Sequence, residues 1–261
     1  MNTLSVSTVL LTKNSMQNLP RYFASMREVE DIIVLDGGST DGTVSYAMQQ
    51  PNVRVFPQNP AYLDAHGYII DFSSLRNEGY TLARDPWILC VDADEEASPA
   101  LLDSVRAIID QGKPGVYFVK RKLSLDGREV VMFSRSVSDH VRLFHLSSVR
   151  GCIKPVHERL DIIPDAHIGF LDVPVTVPLA PAKSLRAKYD RYLIIEARSR
   201  AGIGFTRWFK WVLLRNLFSI TRMTVAWLLT FLIPRRGPRL PFGNLWEQVR
   251  YLWVLTWRIR P

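Results

Sequence analysis

The sequence predicts an α/β fold: a mostly parallel sheet flanked by helices, followed by an amphipathic helical tail. Three observations lead there. Short apolar runs at 5–11, 31–35, 53–56 and 87–91 alternate with helical patterns. Two of those runs stop abruptly at acidic residues, Asp36 and Asp92. The C-terminal stretch has a composition unlike the rest of the chain. Strands alternating with helices at this spacing build βαβ units. Near-continuous apolar runs suit strands covered on both faces.

Residues 5–11 read as the first strand, and 15–27 as a helix with Met16, Leu19, Tyr22, Phe23 and Met26 on its apolar face. The strand at 31–35 runs into Asp36-Gly37-Gly38-Ser39-Thr40-Asp41-Gly42, a tight loop whose Ser, Thr and Asp are suited to capping the next helix. A third strand occupies 53–56 and a helix 73–84. The strand at 87–91 ends in Asp92-Ala93-Asp94-Glu95-Glu96. Ser98-Pro99 then forms an N-cap with proline at the first helical position, and Gly112 closes that helix. Residues 116–123, 129–133, 140–144 and 171–177 read as further strands, several of them antiparallel, and 183–200 as a charged helix. Open sheets of this class bind ligands beyond the carboxyl ends of their strands, where Asp36, Asp92 and Asp94 fall.

Composition narrows the function. A chain of 261 residues, 47% apolar and 22% charged, buries a full core. Two cysteines, Cys90 and Cys152, make no disulfide framework and suit a reducing compartment. The N-terminus lacks a basic region and a small-residue cleavage site, and alternates as a strand rather than a signal peptide. The net charge of +8 hides a division: after residue 204 stand ten Lys/Arg against one acid, giving +9, and the first 204 residues carry −1. Six of the seven tryptophans share the basic part.

Asp92-Ala93-Asp94 is the sharpest local signal. At a strand end the chain turns, so both carboxylates can converge, and hard oxygen donors suit Mg²⁺ or Mn²⁺ carrying a diphosphate. The bare tripeptide is also a common solvated turn, so it gains meaning from its company. Leu11-Thr12-Lys13-Asn14, Leu35-Asp36-Gly37-Gly38-Ser39-Thr40-Asp41-Gly42-Thr43, Ser73-Ser74-Leu75-Arg76-Asn77-Glu78-Gly79 and Val91-Asp92-Ala93-Asp94-Glu95 occur in order over the first hundred residues. With these blocks the chain resembles the family 2 inverting glycosyltransferases of GT-A fold. Lys154-Pro155-Val156-His157-Glu158 and Lys188-Tyr189-Asp190-Arg191-Tyr192 resemble segments of the branch similar to lipopolysaccharide-core β-glucosyltransferases.

The resemblance implies a GT-A catalytic domain over 1–200, with a nucleotide-sugar half (1–100) and an acceptor half (101–200). The basic, Trp-rich composition of 201–261 sets that stretch apart as membrane-associating helices. The resemblance also implies that Thr12, Asn14, Asp36, Arg76 and Asp92 contact the nucleotide sugar, and that Asp92 and Asp94 hold Mg²⁺ or Mn²⁺. Glu158 would be the catalytic base. A guanidinium suits phosphate oxygens, and carboxylates accept from base and sugar donors. Relatives usually supply a histidine after the last core strand, where this chain has Val177-Pro178-Leu179-Ala180-Pro181. His157 or His167 substitutes for it, or diphosphate and water complete the metal's shell. The implied reaction moves a sugar from a UDP-sugar to a lipid-linked saccharide of a bacterial envelope glycan, lipopolysaccharide or exopolysaccharide. The alternatives are a polyprenyl-phosphate sugar synthase, whose anionic acceptor needs no base, and a silent membrane-bound scaffold.

In the tail, Arg207, Lys210, Arg215 and Arg222 fall within an arc of roughly 140° on an ideal helix. Trp208, Trp211, Leu214, Phe218 and Val225 occupy the remaining surface. Trp246, Val249, Trp253 and Trp257 form a second stripe. Only twelve uncharged residues separate Arg222 from Arg235, against about 20 for a bilayer span. The pattern predicts peripheral binding to an anionic membrane, at the cytoplasmic face of a bacterial inner membrane, and no nucleic-acid partner. The alternatives are a re-entrant or spanning insertion with snorkelling arginines, and packing of both helices on the catalytic core or a second subunit.

Overall fold

The structure, a computed structural model, describes residues 3–131, 140–173, 175–234 and 236–261. It contains two compact units, one of Met1–Lys120 with Ser138–Val175, the other of Arg121–Val137 with Thr176–Pro261.

The first unit is built on a seven-stranded sheet. Its strands are β1 (Leu4–Thr12), β2 (Val29–Asp36), β3 (Val53–Pro57), β4 (Trp87–Leu89), β5 (Gly115–Val119), β8 (His140–His145) and β11 (His167–Phe170). They lie in the order β11-β5-β8-β4-β1-β2-β3, and β8 alone runs antiparallel to its neighbours. A mixed α/β unit with a mostly parallel central sheet is thus what the chain forms. Strands β9 (Val149–Ile153) and β10 (Arg159–Ile162) make a separate antiparallel pair.

β1 and β2 are buried almost throughout, which explains their unbroken apolar runs. On one face Val9, Ile33, Leu35 and Ile88 pack with Val116, Phe144 and Tyr80 of helix α3 (Phe72–Thr81). Helix α1 covers only Leu19–Ser25, shorter than the apolar pattern suggests. Pro20 lacks the N–H needed inside a helix, so the helix begins around it, while Leu19, Tyr22, Phe23 and Met26 are buried as expected. Helices α2 (Thr43–Ala47) and α4 (Pro99–Asp110) complete the unit. The Ser98 side chain caps α4 by accepting from the Leu101 N–H, and Gly112 follows its end with φ +62°.

The second unit holds strands β6 (Arg121–Leu125), β7 (Arg128–Glu129) and β12 (Val175–Pro178) in the order β12-β6-β7. The apolar run at 116–123 is therefore two strands, β5 and β6, assigned to different sheets. The expected strand at 129–133 is represented by the end of β7 and a bridge from Val131 to Arg239; its last two residues lie outside the described residues. Helices α5 (Ala182–Ser199), α6 (Phe205–Leu232) and α7 (Phe242–Arg258) complete this unit. Leu193 of α5, Trp208 and Val212 of α6, and Tyr251, Leu255 and Ile259 form one apolar cluster. Val130, Leu240 and Leu245 form another, joined by Met223 and Trp227. Residues 121–131 thus pack with the tail, so the compact units do not divide at residue 200.

Candidate active site

The site lies in the first unit, and the end of β4 supplies its frame. Beyond Leu89 the strand direction is maintained by Cys90, whose N–H donates to the Arg142 carbonyl on β8. Arg142 returns the bond, Nη1 donating to the Cys90 carbonyl at 2.7 Å. The same guanidinium forms a buried pair with Glu95, Nη2 reaching Oε1 at 2.7 Å and Nη1 reaching Oε2. Glu95 Oε2 also accepts from the Asp92 N–H, and the Glu95 N–H donates to the Asp92 carbonyl. The four-residue turn is therefore cross-linked from below, and Asp92 and Asp94 are left at the surface. Arg142 went unnoticed in the sequence. Its signal was there: a cation between Val141 and Leu143 in a core strand demands a buried anion.

Arg76 joins this turn to the loop that follows β9. Its Nη2 donates to Asp92 Oδ1 at 3.1 Å and its Nε to Glu158 Oε1 at 3.0 Å. The Arg76 side chain is 18% exposed, that of Glu158 22% and that of Asp92 56%. Burial works against the guanidinium's charge, but Asp92, Tyr80 and Glu158 more than offset it, holding the Arg76 pKa well above the usual arginine value. Cys90, close by, is a poor nucleophile: burial raises its thiol to about 12.

Each residue of the α3 block has a physical reason. Asp71 caps the helix by accepting from the Ser74 N–H. Arg76 reaches the site. Asn77 holds β9 by two reciprocal bonds with the Cys152 backbone, and Glu78 accepts from Asn59. A Cβ on Gly79 would lie 2.3 Å from Val9 Cγ1, so helix and strand approach this closely only without a side chain. The loop carrying Glu158 is tied to the start of α3, the Phe72 N–H donating to the Pro155 carbonyl. It is also strained, since Lys154 (φ 78°) and His157 (φ 52°) both occupy the left-handed region without being glycine.

Thr12, Asn14 and Asp36 form a second cluster at the ends of β1 and β2. Asp36 is 6% exposed, and its carboxylate accepts four bonds: from Thr12 Oγ1 at 2.9 Å, Ser39 Oγ at 2.5 Å, and the N–H groups of Gly38 and Ser39. Asn14, with φ 51°, accepts from the Thr40 N–H, while its own N–H donates to Ser39 Oγ. Gln58, buried and missed in the sequence, donates to the carbonyls of Thr12 and Leu35. Arg76, Asp92 and Glu158 are thus brought into direct contact, while Thr12, Asn14 and Asp36 organise one loop among themselves.

Two exposed carboxylates, Asp92 and Asp94, at alternate positions of one turn offer oxygen donors only, which fits a hard divalent cation that keeps water and diphosphate in its shell. Among the described residues no group of three or more His, Cys, Asp or Glu gathers to hold a metal, so neither His157 nor His167 completes a set with Asp92 and Asp94 there. The ring of His167 packs edge-on against Tyr117.

Residues 7–146 match the model of glycosyl transferase family 2. A TPR repeat-containing protein of Synechococcus elongatus is 31% identical over 157 residues, 60% of this chain and 35% of that protein. An uncharacterized glycosyltransferase of Rickettsia felis is 33% identical over 104 residues, 40% of this chain and 33% of that one. The chain spans about a third of the length of these curated relatives. The crystal structure of S. aureus TarS 1-349 aligns with a TM-score of 0.46 at 15% identity, covering 74% of this chain and 64% of that one. Its complex with UDP-GlcNAc gives 0.45 at 16% identity, covering 74% and 66%.

Proposed function

The chain belongs to glycosyl transferase family 2, and we propose that it transfers a sugar, with inversion, from a nucleoside-diphosphate sugar to an acceptor hydroxyl. The observation that carries this reading is Arg76. One guanidinium links Asp92, at the end of the core strand, to Glu158, on the loop docked against α3. Three distant motifs become one site through it.

In the reaction the acceptor oxygen forms a bond to the anomeric carbon. The bond from that carbon to the diphosphate breaks, and the diphosphate departs with the electron pair. The acceptor's proton passes to Glu158. Arg76 occupies Glu158 Oε1 and so aims the carboxylate, leaving Oε2 for the proton. Its positive charge also suits the side from which the diphosphate leaves. Asp92 and Asp94 would hold a divalent cation, Mg²⁺ or Mn²⁺, which when bound supplies Lewis-acid stabilisation of the departing diphosphate. The loop of Thr12, Asn14 and Asp36 presents backbone and hydroxyl groups to base and ribose. Asp36 acts there by fixing the loop through four accepted bonds.

The donor class we favour is a UDP-sugar, and the acceptor a lipid-linked saccharide of a bacterial envelope glycan. The chain's similarity to the lipopolysaccharide-core β-glucosyltransferase branch at 154–158 and 188–192 supports that choice. Full-length protein incubated with UDP-glucose, UDP-galactose or UDP-N-acetylglucosamine and Mn²⁺ should release UDP with at least one donor. Release should stop in excess EDTA and return with Mn²⁺. No turnover of any nucleotide sugar, in the presence of an envelope-lipid extract as acceptor, would overturn the proposal.

A further inference from the structure

We infer that α6 and α7 together form a docking surface for a lipid bilayer with anionic headgroups, lying in its interface and not crossing it. The two helices are an antiparallel pair. Trp208 Nε1 donates to the Thr256 carbonyl, Asn216 Nδ2 to Thr256 Oγ1, and Trp227 Nε1 to the Leu240 carbonyl ahead of α7. Within α6 the segment Phe209–Leu214 widens to a π-helical turn. Such a turn rotates less per residue than an α turn, so Trp208 before it and Val212 within it share a face with Asn216, Met223 and Trp227 after it. The same re-phasing draws Arg215 and Arg222 toward the side of Arg207 and Lys210, narrowing the basic arc.

What remains outward is apolar and large. Phe205, Trp211, Phe218, Leu228 and Leu232 of α6 are all more than half exposed. On α7 Phe242, Trp246, Trp253 and Trp257 are exposed at helical spacing. This is far more apolar surface than isolated exposed residues explain.

Charge selects the occupant. Among the described residues, Arg207, Lys210, Arg215 and Arg222 have no carboxylate partner. The tail's one acid, Glu247, is buried and bonded to Arg250. A second copy would present the same +9 against this face and be repelled, whereas anionic headgroups match the cations and tryptophans settle at headgroup depth. By length and composition the 28-residue α6 is long and apolar enough to cross a bilayer, but Arg215 and Arg222 lie within it, and placing both cations in hydrocarbon opposes a crossing orientation.

The test uses the full chain and reads no activity, so it stands apart from the proposed reaction. Co-sedimentation with phosphatidylcholine vesicles, with and without phosphatidylglycerol, should show strong preference for the anionic vesicles and release at high salt. Each basic residue near such a surface strengthens binding about fivefold, so Arg207→Glu/Lys210→Glu/Arg215→Glu/Arg222→Glu should weaken it by at least roughly a hundredfold. All four are exposed, and the thermal midpoint should stay put. Trp211→Ala/Phe218→Ala/Trp253→Ala should weaken vesicle binding while keeping its salt dependence. Three results would overturn the inference. Carbonate-resistant, charge-independent retention would mean a span. A doubled mass by light scattering, lost in the triple alanine variant, would mean a second copy. No sedimentation with either vesicle would mean that no bilayer is bound.

Discussion

Asp92 and Asp94 stand exposed at the end of β4, while Glu247, the sole acid after residue 204, is buried and bonded to Arg250. The two regions also treat apolar groups oppositely. The first unit encloses Leu4, Leu10, Ile32, Ile33 and Leu89, each at most 2% exposed. The tail leaves Trp211 at 67% and Leu232 at 77% exposed. One region is ordered inward and offers carboxylates; the other offers rings and cations. A residue's chemistry therefore has opposite meanings in the two places. Exposed charge marks the candidate site in the first, and exposed rings with exposed cations mark the proposed docking surface in the second.

The largest effect expected is from Asp94→Ala. It should lose transfer by about a thousandfold or more, in line with the several kcal/mol a bound cation supplies to a developing anion. Because Asp94 is exposed, its thermal midpoint should stay within about 2 °C of the parent. Retained turnover in this variant would remove the exposed carboxylates from the chemistry. Next comes Glu158→Gln, expected to keep donor binding and lose roughly 10²–10⁴ in turnover. Near-normal rates there would point to an acceptor that is already anionic.

Arg142→Met tests the opposite role, that of a cation in the core. It orphans Glu95, and breaking such a buried pair costs about 3–5 kcal/mol. Thermal unfolding should show a midpoint lowered on the order of 10 °C. Activity should fall only as far as the Asp92–Asp94 turn loosens. A closer comparison lies within α6. Trp208→Ala opens a cavity among Leu193, Tyr251 and Leu255 and should cost about 3–5 kcal/mol. Trp211→Ala, three residues on, should change stability by less than about 0.5 kcal/mol. Equal effects would erase the distinction between the buried and outward faces of that helix. The smallest effect is at Cys90, whose thiol, raised to about 12 by burial, should resist alkylation at neutral pH and leave turnover unchanged.

The sequence by itself determined the strands β1 to β4, the capped start of α4, the acidic strand end and the basic, aromatic character of the tail. These are local properties. Period-2 or unbroken apolar runs, a Ser-Pro cap and charge density are all readable within a dozen residues. Stripes of Trp246, Trp253 and Trp257 were visible for the same reason, although Val249 packs inward against the Leu240 cluster and Phe242 takes its place outside. The tertiary structure alone decided which distant residues meet. Insertion of β8 between β4 and β5 sets Arg142 beneath Glu95. Docking of the β9 loop on α3 brings Glu158 to Arg76. Strands β9, β10 and β11 are short, four or five residues each, and too half-buried to leave a clear pattern. The phase of α6 depends on a π turn that ideal helical spacing does not contain. Periodicity says which face of an element is apolar; only long-range packing says what that face is pressed against.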